Sequence, residues 1–260
     1  MAAIKGIDCA TPLTAKTAAA IAAAGYKWAA RYLVPIAYKH KRLTRAEAVA
    51  ITAAGMQVVS VFETTASRPQ GGATNGQKDG AAAYLEARAI EQPIGSAIYF
   101  AVDYDAQPKD YDLIEDYLRA AAKEIPGYQI GVYGSYAVVE EMSRRGACTH
   151  FWQTYAWSKE RKSSKANLYQ YKNGTSVGGV TVDLNDSYGG EGWWNTKPVA
   201  PAPQPTAAEI VPKVVRLADN ALIATGELVD GRMVAPVAAV LDATGVRYKW
   251  DNDTKKLYLL

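Results

Sequence analysis

The chain has 260 residues, of which 49% are hydrophobic and 21% charged, and a formal net charge of +3. This length and composition are typical of globular proteins with a full core, and the mild charge without a nucleic-acid motif argues against nucleic-acid binding. Two histidines and two cysteines are too few for a histidine-rich metal site or a disulfide framework, so we predict no metal, no cofactor and two free thiols.

The N-terminal residues 1–9, MAAIKGIDC, lead directly into a strand-like pattern. They lack the basic region and the apolar stretch of a secretory signal. One of the longest apolar runs, residues 17–25, is alanine-rich and shorter than the roughly 20 residues that span a bilayer. We therefore predict synthesis in the cytoplasm without a signal peptide, and no membrane insertion.

Strand patterns alternate with helical patterns up to about residue 190. We predict eight strands, at residues 4–8, 27–33, 57–63, 96–103, 129–134, 150–156, 167–171 and 180–185. Five helices are predicted between the first six strands, at residues 14–24, 44–54, 76–92, 111–124 and 135–145, with Thr44 and Ser135 as candidate N-caps.

This order of elements predicts an α/β fold with a parallel sheet. Eight strands in a segment of this length favour a closed TIM-like (β/α)8 barrel with some helices missing. An open doubly wound sheet is the alternative, but no Gly-x-Gly-x-x-Gly motif follows the first strand.

Two basic segments and one long loop have two interpretations each. The segments 38–45 and 158–165 are rich in Lys and Arg, which is typical either of solvated loops or of surfaces that attract anionic polymers. The loop 64–76 follows the third predicted strand and is either a substrate lid or a surface insertion.

A proline- and alanine-rich segment, residues 195–209, interrupts the periodic pattern. Such a composition is typical of an extended, semi-rigid spacer. We therefore predict a barrel domain at 1–194, a linker at 195–209 and a small α+β domain at 210–260. In the last domain we expect a strand, a helix at about 234–244 and a hairpin through residues 250–256.

Four of the predicted strands end in acidic side chains, namely Asp8, Glu63, Asp103 followed by Asp105, and Asp183. In a barrel, side chains alternate inward and outward, and catalytic groups lie at the carboxyl ends of the strands. We therefore expect these five acids to meet at one rim. That individual acids cap helices or pair with basic side chains remains the alternative.

Clustered carboxylates repel one another, so some keep a proton while others stay ionised. This division is what glycoside hydrolysis requires, because one carboxyl protonates the leaving oxygen and another activates water or stabilises positive charge. Glu63 and Asp103 lie on neighbouring predicted strands, roughly 5 Å apart at the backbone. That spacing is compatible with both retaining and inverting mechanisms.

Aromatic and amide side chains near the rim favour a carbohydrate ligand. The chain has 17 tyrosines and 3 phenylalanines, and Tyr and Trp combine a flat apolar face with a polar edge that suits a sugar ring. Tyr133 and Trp152 lie within predicted strands, as do the amides Gln153 and Gln170. Buried amides need partners, so we expect both amides to line the pocket, although core packing is the alternative for the aromatic residues.

Six segments together resemble the glycoside-hydrolase-like domain of unknown function 1906, which is found in bacterial and phage cell-wall proteins. They are GIDCA at the start, VFE at 61–63, IYFAVDYD at 98–105, GVYGSY at 131–136, FWQTYAW at 151–157 and VDLND at 182–186. That domain is similar to the glycoside hydrolase family 25 lysozymes, which are barrels that cleave the glycan of peptidoglycan.

The resemblance implies roles for individual residues. In family 25 the fourth strand ends in Asp-x-Glu, whose Glu is the general acid; here Asp103 matches the Asp and Asp105 takes the place of the Glu. The matching implies Glu63 as the acid supplied from the adjacent strand and Asp8 and Asp183 as pocket residues. Candidate substrate contacts beside them are Arg31, Tyr133, Trp152, Gln153 and Gln170.

The C-terminal residues 230–260 resemble the copper amine oxidase N-terminal-like stalk domain of bacterial cell-surface proteins. This segment has no His or Cys, so a typical copper site is not expected. The resemblance implies either a wall-binding module or a passive spacer.

Three hypotheses follow for the function. The first is an endolysin-like muramidase with Glu63 as proton donor and Asp103 as nucleophile, base or electrostatic stabiliser, which would act on bacterial peptidoglycan after holin-type release. The basic segments would steer it to anionic wall polymers. The second is a carbohydrate-binding barrel without turnover, because Asp105 departs from the family 25 motif. The third is a metal-assisted phosphodiesterase, which a chelator would inhibit.

Overall fold

The structure, a computed structural model, describes residues 3–196 and six short strands between residues 213 and 259. The chain divides into two units, Met1–Lys197 and Pro198–Leu260. The division falls inside the proline- and alanine-rich segment 195–209. None of the helices in the described ranges is long and apolar enough to cross a bilayer.

The first unit is a closed barrel of eight strands arranged in chain order. The strands are β1 (Ile4–Asp8), β2 (Trp28–Tyr32), β3 (Gln57–Phe62), β4 (Ala97–Ala101), β5 (Gln129–Gly134), β6 (His150–Thr154), β7 (Leu168–Val177) and β8 (Val180–Ser187). Five α-helices connect the first six strands: α1 (Ala15–Ala23), α2 (Arg45–Ala53), α3 (Gly72–Ala89), α4 (Tyr111–Glu124) and α5 (Tyr136–Arg145). The predicted TIM-like barrel with some helices missing is confirmed.

The helices begin where the sequence supplies side-chain caps. The Thr44 hydroxyl accepts the backbone N–H of Glu47 at 3.2 Å, and the Ser135 hydroxyl accepts that of Val138 at 3.4 Å. Both predicted N-caps are therefore confirmed, and each satisfies a backbone donor that the helix itself leaves free.

The last barrel strand runs against its neighbours. Strands β1 to β7 are parallel to one another, whereas β8 is antiparallel to both β7 and β1. The expectation of eight parallel strands was therefore wrong for β8. The reason is local, because β7 and β8 are joined by Gly178 and Gly179, both with positive φ, and such a two-residue turn joins only antiparallel strands.

Alternating side chains divide the core into two layers. One layer fills the inside of the barrel and includes Trp28, Val59, Val61, Tyr99, Trp152 and Leu168. The other lies between the strands and the surrounding helices and includes Ile7, Ala29, Val58, Phe62, Phe100 and Leu118. Strands β2, β3 and β4 contribute to both layers, as the two-residue period of a strand requires.

The end at which β3 and β4 begin is closed by the segment that follows β8. The backbone N–H and C=O of Trp194 pair with those of Val58 at 2.9 and 2.7 Å, and the Trp194 indole donates to the Ser60 hydroxyl at 3.0 Å. Ala97 donates its N–H to the carbonyl of Gly192 at 2.8 Å. The segment therefore covers this end of the barrel, and the cavity described below lies at the opposite end.

Six described strands of the second unit form three antiparallel pairs. They are β9 (Lys213–Val215) with β10 (Leu222–Thr225), β11 (Glu227–Val229) with β12 (Arg232–Val234), and β13 (Tyr248–Asp251) with β14 (Lys256–Leu259). The pairing of β13 with β14 confirms the predicted hairpin through residues 250–256. The predicted helix at 234–244 lies outside the described residues, except for Val234, which belongs to β12.

Candidate active site

The open end of the barrel holds a cavity of about 120 Å³. Four of the five acids predicted to meet at this rim line it, together with aromatic, amide and small apolar side chains. The lining residues are Asp8, Tyr32, Val61, Glu63, Ala101, Asp103, Tyr133, Trp152, Gln170, Asn173 and Asp183. The barrel thus brings together side chains that lie far apart in the sequence.

The two acids on β1 and β8 are direct neighbours. Asp8 is the last residue of β1, and it pairs with Asp183, which lies near the start of β8. Asp183 therefore reaches the expected rim through the beginning of its strand, because β8 runs in the opposite direction. The rim position of Asp183 was predicted from the carboxyl end of a parallel strand, whereas in the structure β8 is antiparallel.

The acids after β3 and β4 lie at different heights. Val61 is level with Tyr99 in the β3–β4 register, so Glu63 is level with Ala101 and Asp103 follows two residues later. At about 3.3 Å per residue and a strand spacing of about 4.8 Å, their backbones are roughly 8 Å apart. Continued past the ends of both strands, this register gives a separation larger than the expected roughly 5 Å.

Two amide side chains hold Asp8 in place. Gln170 Nε2 donates to Asp8 Oδ2 at 2.9 Å, and Asn185 Nδ2 donates to the same oxygen at 2.7 Å. Gln170 Nε2 also lies 3.2 Å from Asp183 Oδ2. One amide group therefore bridges the two neighbouring carboxylates.

The bridging amide is itself oriented by two hydroxyl groups. Tyr133 and Thr154 donate to Gln170 Oε1 at 2.9 and 2.8 Å. With its oxygen occupied in this way, Gln170 can present only its N–H donors to the acids. The expectation that Gln170 lines the pocket agrees with this placement.

Burial dominates the electrostatics of Asp8. Loss of solvent and the nearby Asp183 carboxylate raise its pKa from 3.8 to about 7, against the hydrogen bonds from Asn185 and Gln170. Burial also raises the pKa of Asp183, opposed by the backbone N–H of Gly174, which donates to Asp183 Oδ1 at 2.8 Å. This side of the cavity therefore favours bound protons near neutral pH.

A lysine faces the other two acids. Lys41 Nζ lies 3.5 Å from Glu63 Oε1 and 4.5 Å from the centre of the Tyr32 ring. Burial raises the pKa of Glu63, and the Lys41 ammonium opposes that rise. The pKa of Asp103 is raised by burial and lowered by Lys41 in the same way.

Aromatic side chains form the inner wall of the cavity. The Trp152 indole donates to Asn185 Oδ1 at 2.9 Å, and the Trp152 and Tyr133 rings meet edge to face with 4.8 Å between their centres. Both rings are thereby fixed in orientation, and both lie where the sequence analysis expected substrate contacts.

Arg31 and Gln153, by contrast, do not reach the cavity. The fully buried Arg31 side chain donates to Glu47 Oε1 at 2.6 Å on the outer face of β2. Gln153 is also fully buried, and its amide group bonds to the backbone of Arg161 and Ser163 at 2.8 Å. Their assignment as substrate contacts is corrected, because the residues beside them on each strand face inward and alternation turns these two outward.

Asp105 also lies outside the cavity. It is exposed and is absent from the residues that line the pocket. Strand β4 ends at Ala101, so the inward and outward alternation that placed Asp105 beside Asp103 no longer applies two residues beyond Asp103. The acid that takes the place of the family 25 Glu is therefore not part of the carboxylate cluster.

Sequence reasoning missed three residues at the cavity. Lys41 was assigned to a basic surface segment, and Tyr32 was treated as one aromatic residue among many. No feature of the sequence was a reason to select Asn173, which lies between the predicted strand 167–171 and Gly174. Tyr32 could have been identified because it shares the inward face of β2 with Trp28 and Ala30. Lys41 lies outside any strand, so the position of its side chain depends on tertiary structure.

Asn173 owes its position to irregular pairing in β7. The register between β7 and β8 shifts between Gln170 and Lys172 and again between Lys172 and Thr175. Such bulges redirect side chains and are common next to active sites. Asn173 is exposed at the cavity mouth, and Gly174 beside it supplies the N–H that binds Asp183.

The long loop after β3 is anchored away from the cavity. Arg68 forms two hydrogen bonds to Asp79, at 2.9 and 2.5 Å, and Tyr117 donates to the same carboxylate at 2.9 Å. None of residues 64–76 lines the pocket. The loop is therefore held at the surface by these hydrogen bonds, and helix α3 begins within the predicted loop, at Gly72.

The basic segments are partly neutralised within the barrel. Arg42 pairs with Glu86 at 2.6 Å, and Arg45 pairs with Glu91 at 3.0 Å. In the second segment, Lys162 Nζ lies 3.8 Å from the centre of the Tyr188 ring.

Both cysteines are free and buried. In the part of the chain that the structure describes, no group of three or more His, Cys, Asp or Glu could hold a metal ion.

A family model described as Rv2525c-like, glycoside hydrolase-like domain matches residues 19–188. The chain belongs to this family. A relative, described as uncharacterized protein FadG of Bacillus subtilis strain 168, is 32% identical over 158 residues. That match covers 55% of this chain and 27% of the Bacillus protein, so the chain spans about a quarter of its relative's length.

Solved structures share the fold of this Rv2525c-like barrel. The Mycobacterium tuberculosis Tat-secreted protein Rv2525c, in complex with L-tartrate, is 26% identical with a TM-score of 0.67, covering 73% of this chain and 98% of its own. GHIP, a glycosyl hydrolase 25 of Streptococcus pneumoniae, is 13% identical with a TM-score of 0.52, covering 71% and 87%. At that identity the pneumococcal likeness shows the fold alone.

The resemblance to glycoside-hydrolase-like barrels is thereby confirmed. The chain has a glycoside hydrolase-like domain whose fold is related to that of lysozymes. The resemblance of residues 230–260 to a stalk domain, and a phage origin, stay predictions.

Proposed function

We propose that the barrel is a glycoside hydrolase that cleaves the glycan of bacterial peptidoglycan, in the manner of an endolysin-like muramidase. The observation that carries the proposal is the convergence of Asp8, Glu63, Asp103 and Asp183 on one cavity at the open end of the barrel. Clustered carboxylates with unequal surroundings can supply both a proton donor and an ionised partner, which glycosidic bond cleavage requires.

In this proposal Glu63 protonates the leaving oxygen, and Asp103 acts as nucleophile, base or electrostatic stabiliser. Burial raises the pKa of Glu63, which favours the protonated form that a general acid needs. Asp103 follows the end of the adjacent strand β4 and is partly buried. Tyr133, Trp152 and Gln170 would contact the sugar, and Asp8 and Asp183 would bind its hydroxyl groups.

The size of the cavity supports binding of a chain rather than a free small molecule. Its volume of about 120 Å³ is below the roughly 300 Å³ typical of pockets that enclose drug-sized ligands. A single unit of a glycan could enter the cavity while its neighbours lie along the rim. The autolysin LytC of Streptococcus pneumoniae, which shares the fold with a TM-score of 0.51 and 13% identity, has been solved with a synthetic peptidoglycan ligand.

The place of action is part of the same proposal. We propose that the protein is made in the bacterial cytoplasm and acts on the wall after holin-type release, with anionic wall polymers attracting its basic segments. Rv2525c is described as a Tat-secreted protein, which supports action outside the cytoplasm by members of the family. Fractionation of producing cells with and without a co-expressed holin tests the route.

The test of activity is reducing-end release from purified Gram-positive peptidoglycan. We expect release by the wild type and its loss in Glu63→Gln and Asp103→Asn, each with an unchanged melting temperature. Asp105→Asn is the matched variant, because it removes an acid two residues from Asp103 that lies outside the cavity. We expect it to retain release; loss of release only in Asp105→Asn would favour the family 25 Asp-x-acid arrangement instead.

A second candidate is a wall-carbohydrate-binding barrel without turnover. The observation that favours it is the position of Asp105, which leaves the Asp-x-Glu pair of family 25 without a second acid in the cavity. Co-sedimentation with purified walls, without release of reducing ends at any pH, would support this function. For the second unit, a wall-binding module and a passive spacer both remain open, and the same sedimentation assay separates them.

A further inference from the structure

The segment between β2 and α2 is folded back against the barrel mouth. Leu43 donates its N–H to the Tyr32 carbonyl at 2.8 Å, and Tyr32 forms a bridge with Arg42. Arg31 Nη2 donates to the carbonyl of Lys41 at 3.2 Å from beneath. The backbone at Lys41 is therefore held by contacts that do not involve its own side chain.

The Lys41 side chain points from this segment toward the acids. It is 9% exposed, and its ammonium lies over the Tyr32 ring and 3.5 Å from Glu63 Oε1. The neighbouring Lys39 and His40 are exposed. A long side chain that is kept out of water normally has a partner, and the partner here is a carboxylate of the cavity.

We propose that Lys41 is a positioning residue that holds the Glu63 carboxylate in place and sets the pH range over which Glu63 can act. This inference rests on the proposed glycosidase function. Nothing in the resemblance to lysozymes assigns a role to this lysine, and it belongs to a segment that sequence reasoning treated as surface.

The physical reason is the balance of charges that face Glu63. Burial and the Asp103 carboxylate both favour its protonated form, and the Lys41 ammonium favours its ionised form. The phenol groups of Tyr32 and Tyr117 also lie near it, but burial raises their pKa above 10, so they are uncharged near neutral pH. Lys41 is thus the basic group that opposes protonation of Glu63.

The first experiment is the pH profile of reducing-end release for the wild type, Lys41→Met, Lys41→Gln and Lys41→Arg. If Glu63 is the general acid, we expect the alkaline limb to move up by roughly one pH unit in the two uncharged variants. Lys41→Arg keeps the charge and should keep the limb near its wild-type position. A pH profile in which neither limb moves in folded Lys41→Met and Lys41→Gln would overturn the proposal.

The direction of the change also identifies the role of Glu63. A shift of the alkaline limb indicates that Glu63 must be protonated for turnover, whereas a shift of the acidic limb indicates that it must be ionised. Either shift supports an effect of Lys41 on Glu63, and Lys41→Arg separates charge from simple packing.

A second readout does not depend on turnover. Titration of the ¹³C-labelled side-chain carboxyl of Glu63 by NMR should give a higher pKa in Lys41→Gln than in the wild type, because the opposing positive charge is lost. The carboxyl of Glu141, whose pKa is lowered by its pairing with Arg144 and Arg145 on α5, serves as the control, and its pKa should be the same in both proteins. If the wild type releases no reducing ends, the proposed hydrolase fails, but this titration still decides whether Lys41 controls Glu63; equal pKa values in both proteins would overturn that control.

Discussion

Asp8 and Glu63 are both buried carboxylates of one cavity, but their partners differ in charge. Asp8 is held by two neutral amides, from Gln170 and Asn185, whereas Glu63 faces the Lys41 ammonium. A neutral donor offsets the loss of solvent less than a positive charge does. The pKa of Asp8 is accordingly raised to about 7, which makes Asp8 a group that holds a proton in the folded state.

This proton has a consequence for stability. Between about pH 4 and pH 7 the folded protein keeps the Asp8 proton while the unfolded chain, with an Asp pKa near 3.8, has lost it. The folded state then binds more protons, so the free energy of unfolding falls as the pH rises through this range. The full decrease in the free energy of unfolding corresponds to about 4 kcal/mol, at about 1.4 kcal/mol per pH unit. We expect Asp8→Asn to reduce the fall, as measured by urea unfolding at pH 5 and pH 8.

The exposed Asp105 provides the control for this measurement. Asp105→Asn should keep the wild-type dependence on pH, because its carboxyl is in water in both states. Asp183, Glu63 and Asp103 also have raised pKa values, so part of the dependence should remain in Asp8→Asn. An undiminished dependence in Asp8→Asn would show that the Asp8 proton is not retained.

Asn173 is a test of contact with the glycan rather than of stability. Its side chain is exposed at the cavity mouth, and no hydrogen bond to it is found within residues 3–196. We expect Asn173→Ala to leave the melting temperature unchanged and to weaken wall binding several-fold, since a lost hydrogen bond costs about 0.5–1.5 kcal/mol. Co-sedimentation at graded wall concentrations measures this, with the exposed Ser176→Ala on the same strand as control; equal affinities would exclude the contact.

At this scale the sequence predicted the site unevenly. Asp8, Glu63 and Asp103 could be placed at one rim because acidic residues at strand ends follow the two-residue period of strands. The same two-residue period, applied strictly, would have predicted that the side chains of Arg31 and Gln153 face outward. Lys41 could not be placed, because its side chain reaches Glu63 through a connection whose path depends on contacts with β2.

Helices α3 and α4 pack closely because one of them carries glycine at the contact. A Cβ at Gly76 would lie 2.1 Å from the backbone oxygen of Tyr117 on α4. Glycine lowers intrinsic helix stability by roughly 1 kcal/mol relative to alanine, so its presence in α3 reflects packing. The same helices anchor the loop that follows β3, because Arg68 bonds to Asp79 of α3 and Tyr117 of α4 donates to the same carboxylate.

We expect Gly76→Ala to destabilise the protein, although alanine is the better helix former. The added methyl group meets backbone that cannot move alone, and overpacking of this kind costs about 1–3 kcal/mol. Thermal unfolding measures the effect. The exposed Gln77→Ala on the same helix is the control and should change stability little; a Gly76→Ala protein as stable as Gln77→Ala would contradict the close contact.

The elements themselves were well predicted where local signals and packing agree. Strands β1 and β5 and helix α4 have the predicted bounds, and Thr44 and Ser135 cap their helices as expected. The start of α3 was predicted four residues late, because its glycines suggested a loop while packing against α4 required them. The direction of β8 was missed although Gly178 and Gly179 form a typical hairpin turn.

For the molecule as a whole, the barrel is completed only after its last strand. Trp194 is 3% exposed and joins the start of β3 through its backbone and indole groups. Its contacts belong to the barrel unit, which ends at Lys197. The segment 191–196 is therefore part of the folded barrel rather than of the linker, and a domain boundary placed before it would cut the core.

Two shortened chains test this boundary. We expect residues 1–197 to melt as a cooperative unit and residues 1–190 to melt about 10 °C lower. Loss of a buried Trp costs about 3–5 kcal/mol, and 1 kcal/mol shifts the melting temperature of a domain of this size by about 2–4 °C. Differential scanning calorimetry of both chains decides the matter; equal melting temperatures would mean that the segment contributes nothing.

The reversed direction of β8 also decides where the barrel can be joined to other proteins. Ile4 and Ser187 are paired residues of β1 and β8, and the segment that follows β8 joins the start of β3, so the chain enters and leaves the barrel at the end opposite the acids. Domains whose ends adjoin tolerate insertion and circular permutation. Both connections to a longer protein, such as the Bacillus relative of which the chain matches 27%, would then lie away from the cavity lined by the acids.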